Sequence, residues 1–138
     1  MKKLLYSFLI LSSATVWSQQ KLAFADNAIG TVNIFNAKKS VLQVSKTYTA
    51  ANLPASLKKY SSIFTKGITE YKFKNGENVL DRMSLAEINT QYGLPKDTPV
   101  FIGEYEFNDT SILIYPEIID KGEVKDHNGK KTLFVTLR

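Results

Sequence analysis

Cysteine is absent from all 138 residues, and histidine occurs once. The first absence removes disulfides, thiolate nucleophiles and a Cys-built zinc site, so packing alone must hold the fold. It also removes the lipoprotein route, which needs a Cys just after the cleavage point. The lone histidine, His127, leaves no room for a His-based metal cluster. It also confines any triad needing a His base, such as Ser-His-Asp, to one position. That position stands beside Asn128-Gly129 in a predicted hairpin turn, where a catalytic base would lack burial and an orienting partner. Glycine-rich loops between a strand and a helix are missing too, so phosphate cradling has no support. No Pro/Gly/Ser linker, repeat or low-complexity tract divides the chain.

Long apolar runs are scarce, and the one present is at the start. Lys2 and Lys3 precede the apolar stretch 4–11, Ser12-Ser13 break it, and Val16-Trp17-Ser18 puts small or tolerable residues at −3 and −1. This pattern predicts a secretory signal peptide over 1–18, cleaved between Ser18 and Gln19. A membrane anchor needs about 20 apolar residues, more than this run offers. The expectation is an exported protein, periplasmic or secreted, without a membrane span.

Removing 18 of 138 residues leaves 120, enough for one domain, 19–138, burying roughly two-thirds of its unfolded surface. Without Lys2 and Lys3, 16 Lys and Arg stand against 13 Asp and Glu, a net +3. The pairs Lys38-Lys39, Lys58-Lys59 and Lys130-Lys131 are scattered. A nucleic-acid footprint would cluster them among aromatics, so no nucleic-acid partner is expected.

The C-terminal half is the most sharply written. Ser84-Leu85-Ala86-Glu87 is a capping box, flanked by Met83 and Ile88 as a hydrophobic staple. Leu85, Ile88 and Tyr92 fall on one helical face, Gly93 suits the left-handed end and Pro95 forbids a restart. This predicts a helix over 84–92. Pro99 then opens a strand predicted over 100–107, with Phe101, Gly103, Tyr105 and Phe107 alternating on one face. Residues 112–115 are an apolar run, and Pro116 begins one helical turn. Strands 123–126 and 131–137 flank Asn128-Gly129, which suits a type I′ turn. Leu133, Val135 and Leu137 point one way, and Thr132, Phe134 and Thr136 the other.

In the N-terminal half, 31–35 alternates as a strand and 40–48 is its candidate hairpin partner. Leu57, Tyr60, Ile63 and Phe64 keep helical spacing up to Gly67. Residues 68–74 read as a strand with Thr69, Tyr71 and Phe73 on one face, followed by the hairpin-type pair Asn75-Gly76. The whole predicts an α+β fold, a small mixed or antiparallel sheet with two principal helices.

Paired carboxylates remain possible as catalytic material. Glu104 and Glu106 share a predicted strand face, with Asp109 just after; together they could offer oxygens to a Ca²⁺, though without a calcium-loop spacing. A solvated strand end is the commoner fate of such residues. No catalytic, cofactor-binding or metal-ligating residue is therefore assigned.

Pro99-Val100-Phe101-Ile102-Gly103, the later run from Pro116 through Ile118-Ile119 to Val124, and Thr132-Leu133-Phe134-Val135-Thr136 together resemble the plug domain of TonB-dependent outer-membrane receptors. The resemblance covers about 40 residues, under a third of the chain. Where that family writes Asp-Gly after the first strand, this chain has Gly103-Glu104, and the apolar run before Pro116 is longer. With no barrel segment following, the resemblance implies a stand-alone plug-like module of a Gram-negative envelope. The expected role is non-catalytic: binding a protein partner, or a second copy, by adding a strand to a sheet edge. The rival is a small metal-dependent or carboxylate-based hydrolase using Glu104, Glu106, Asp109 or Asp120.

Overall fold

A computed structural model describes residues 21–76 and 80–138. The expected signal peptide lies outside the described residues. Among the described residues ten strands form two mixed sheets. The six-stranded sheet runs β3-β4-β1-β2-β8-β5 and the four-stranded sheet β7-β6-β10-β9. In chain order the strands are β1 (Leu22–Ala25), β2 (Ala28–Thr31), β3 (Leu42–Tyr48), β4 (Ile68–Phe73), β5 (Met83–Ser84), β6 (Val100–Ile102), β7 (Tyr105–Phe107), β8 (Leu113–Ile114), β9 (Ile119–His127) and β10 (Lys130–Leu137). Among the described residues the α-helices are α1 (Val32–Asn36) and α2 (Leu85–Gln91). No helix among the described residues is long and apolar enough to cross a membrane.

The N-terminal hairpin departs from the alternation read at 31–35. Asp26-Asn27 take φ of 50° and 63°, the two left-handed conformations of a type I′ turn, and join β1 to β2. The strand thus stops at Thr31, whose hydroxyl accepts from the Ile34 N–H (3.1 Å) and caps α1. Over five residues period 2 and one helical turn are hard to tell apart, and the cap decides. Segment 42–48 pairs not with 31–35 but with β4, antiparallel. The helix expected from Ala55 is a 3₁₀ turn, Ala55–Tyr60. Leu57 and Tyr60, three apart, stack on one side of it, as the 3₁₀ repeat demands. The expectation of two principal helices is therefore corrected to α2 with short helical turns around it.

α2 itself follows the sequence closely. The Glu87 N–H donates to the Ser84 hydroxyl (3.1 Å), and the Ser84 N–H to the Glu87 carboxylate (2.8 Å). At its end Gly93 takes φ 75°, while Leu94 N–H donates to Asn89 and Gly93 N–H to Thr90, a Schellman closure. Leu85 and Ile88 are buried, but Tyr92 is 40% exposed, because the helix closes before it and its hydroxyl rests over Gly122. Asn89 takes the interior place instead, donating to the Lys96 and Thr98 carbonyls (3.1 and 2.8 Å) and tying the following loop to the helix.

The single strand expected over 100–107 is a hairpin. Gly103, at φ 62°, turns the chain back with Glu104, as a type II′ loop requires, and Phe101 falls opposite Glu106. Val100, Ile102 and Phe107 are consequently buried, and the expected common face of Phe101 and Phe107 is not formed. The closing hairpin keeps its Asn128-Gly129 turn (φ 53° and 84°), with strands longer than expected. The helical turn expected over 116–120 is a 3₁₀ turn with Pro first, Pro116–Ile118, cut short because Ile119 and Asp120 already belong to β9.

One core joins the inner face of the four-stranded sheet (Val100, Ile102, Leu133, Val135) to Leu22, Phe24, Ile29 and Ile68 of the larger sheet and to Leu85 and Ile88. A second core covers the opposite face of the larger sheet with Phe35, Tyr71, Phe73, Tyr115 and Ile118. Sandwiched between them, β1 and β2 are buried at every residue. Both ends of each sheet are left as edges.

Candidate functional site

The carboxylates read from the sequence do not converge. Glu104 sits in the β6–β7 turn, Glu106 is exposed on β7 opposite Phe101, and Asp120 is exposed on β9. Asp109 is bound into a structural tie. Its carboxylate accepts from Lys59 Nζ (2.7 Å), the Tyr60 hydroxyl (3.0 Å), and the Ser111 hydroxyl and N–H (2.6 and 3.0 Å). The Lys59 ammonium and the two Ser111 donors hold the carboxyl well below the usual carboxylate range. The same contact with Asp109 raises the Lys59 pKa, so neither group is poised for proton transfer near neutrality. Among the described residues no three of Asp, Glu and His gather as a metal site.

Clefts open at two places among the described residues that bear on these carboxylates. One, of about 460 Å³, lies beside the end of β3 and is lined by Thr47, Ile63, Lys66, Gly67, Glu104 and Tyr105. Glu104 is the one carboxylate lining it, so it does not hold the acid pair a glycosidase-like or two-carboxylate mechanism needs. The other, of about 590 Å³, is lined by Leu80, Asp81, Arg82, Met83, Pro116 and Glu117; it holds two carboxylates, of which Glu117 is ion-paired with Lys38 (2.9 Å).

His127 is not the solvated turn residue the sequence suggests. β9 continues through it, and its ring packs edge-on against Phe101 (centroids 4.9 Å) and Phe134 (5.9 Å). Phe101 and Phe134 stack at 4.7 Å with 11° between their planes, and Lys125 Nζ lies 4.7 Å over Phe134. Phe134 therefore has a ring on one side and a cation near its face, and all three rings are half-buried.

The remaining feature is the sheet edges. Among the described residues β5 and β7 are short ends of two and three residues, whereas β3 and β9 are edges of seven and nine. An edge strand carries a row of backbone N–H and C=O groups able to pair with another chain. β9 is guarded: Asp120, Lys121, Glu123, Lys125 and Asp126 alternate in sign along it. β3 has one charge, Lys46, and a bulge at Ser45, between the register pairs Val44–Tyr71 and Lys46–Glu70. Residues 43–47 are all exposed, and Val44, at 57%, is the most exposed large apolar side chain among the described residues. The segment was legible as an apolar-rich strand. That it ends a sheet was not, because its partner strand starts only at Ile68, 20 residues beyond Tyr48. Comparison of the chain with protein-family models, with curated proteins and with solved structures finds no match.

Proposed function

We propose that this protein is an exported, non-catalytic binding module of the cell envelope that accepts an extended strand from a protein partner along the outer edge of β3. The observation that carries the reading is an edge seven residues long, weakly charged and bearing an exposed valine. Main-chain hydrogen bonds would supply affinity there, and alternate side chains the specificity. The signal-peptide pattern of 1–18 supports the exported, periplasmic or secreted setting. The plug-like run at the C terminus agrees with an envelope role, and Glu104, Glu106, Asp109 and Asp120, the carboxylates a hydrolase was expected to use, are dispersed.

Proline scanning tests it. Proline at each of positions 43–47 removes one backbone donor, and at positions whose N–H points outward it leaves the β3–β4 ladder whole. A partner isolated from envelope extract and purified should lose binding to those variants while their thermal melts stay at wild-type values. Wild-type affinity throughout the proline series would end the proposal.

A further inference from the structure

The composition of the two faces at this edge specifies what the incoming strand must carry. Residues opposite one another in a ladder share a face. Register places Gln43 with Lys72, Lys46 with Glu70 and Tyr48 with Ile68 on one face, and Val44 with Tyr71 and Leu42 with Phe73 on the other. The first face is basic at its rim. Lys46 and Lys72 are both exposed, and neither makes an ion pair among the described residues. Its one acid, Glu70, lies a strand further in and already accepts from the Tyr48 hydroxyl (3.1 Å). Lys46 Nζ stands over the Tyr48 ring at 5.1 Å, held close to the edge. The second face presents Val44, with the buried rings of Tyr71 and Phe73 one strand behind it.

Building on the strand-addition reading, we infer that the strand accepted at β3 belongs to a foreign chain and alternates acidic with apolar residues. Its acidic side chains lie opposite Gln43 and Lys46, within reach of Lys46 and Lys72. The apolar side chain between them covers Val44. Ser45 is the extra residue relative to β4, so Val44 and Lys46 lie opposite successive residues, Tyr71 and Glu70, and on opposite faces despite being two apart in sequence. A second copy of β3 fits badly: it brings the same lysines, so the joined face would gather like charge.

The probe is a capped octapeptide alternating Glu and Val, compared with its Lys and Val counterpart, titrated against the protein at low and at physiological salt. The Glu-Val peptide should bind about tenfold tighter or more, through two opposite-charge contacts in place of two like-charge ones. Its advantage should shrink as salt rises. In the Lys46→Glu/Lys72→Glu variant, both changes being at exposed sites, the preference should invert. The inference is overturned if the Lys-Val peptide binds equally or better, if neither binds at millimolar concentration, or if sedimentation shows the chain pairing with itself through β3. If Val44→Pro abolishes binding of the isolated partner while the peptides show no charge preference, the inference fails and strand addition stands. If the partner binds that proline variant normally, both fail.

Discussion

Gly30→Ala is a one-methyl perturbation whose outcome the packing around β2 decides. Gly30 faces Phe35, and a Cβ there would lie 2.4 Å from the ring's Cζ and 2.7 Å from Cε1. Phe35 cannot swing aside. It is fully buried, with Tyr71 at 5.0 Å and Tyr115 edge-on at 5.6 Å. Tyr115 is itself fixed by a 2.7 Å hydrogen bond from its hydroxyl to the Ala25 carbonyl. Overpacking of this kind costs about 1–3 kcal/mol. The backbone at Gly30 is not in the left-handed region, so alanine should otherwise be favoured there by about 0.4–1 kcal/mol through the unfolded chain. The substitution should therefore reverse its sign when the ring is removed. Phe35→Leu alone should cost roughly 1–3 kcal/mol for the lost ring contacts, and adding Gly30→Ala to it should be neutral or stabilising. Urea unfolding of the four proteins in a double-mutant cycle reads the coupling, expected at about 2 kcal/mol. An unchanged midpoint for Gly30→Ala, or the same loss in both backgrounds, would refute the claim that Phe35 packs flat on a bare backbone.

Ser84→Ala removes the hydroxyl that caps α2 and should lower stability by about 1 kcal/mol in thermal or urea melts. Asp109 has a folded-state pKa below its unfolded one, so its tie is at full strength above the unfolded value and is lost as pH falls. The stability advantage of wild type over Asp109→Asn should be constant from pH 8 to 5 and shrink below about pH 4, as measured by denaturation at each pH. Gly129→Val should destabilise by more than 1 kcal/mol, since a β-branched residue resists the φ of 84° that the turn requires. His127→Ala should leave partner binding intact, its ring belonging to the Phe101–Phe134 cluster and not to β3.

What the sequence by itself determined is local. The Ser84–Glu87 cap, the Gly93 closure, the Asn128-Gly129 turn and the Pro116 turn each depend on residues within a few positions. Side-chain chemistry and allowed φ specify them wherever the segment ends up. The Asp26-Asn27 turn belongs to the same class and could have been read from its flanking apolar stretches. Tertiary structure decided the rest. Whether 100–107 stays one strand or folds at Gly103 depends on β10, which pairs with β6 in parallel and buries Val100 and Ile102. Whether Glu70 and Lys72 lie in mid-sheet or next to its outermost strand depends on which strand lies beyond them, and that strand is β3. Strand order is set by burying both faces of β1 and β2 between two cores, a collective requirement that no short window of residues encodes. That requirement leaves β3 outermost, with Val44 and Lys46 facing solvent.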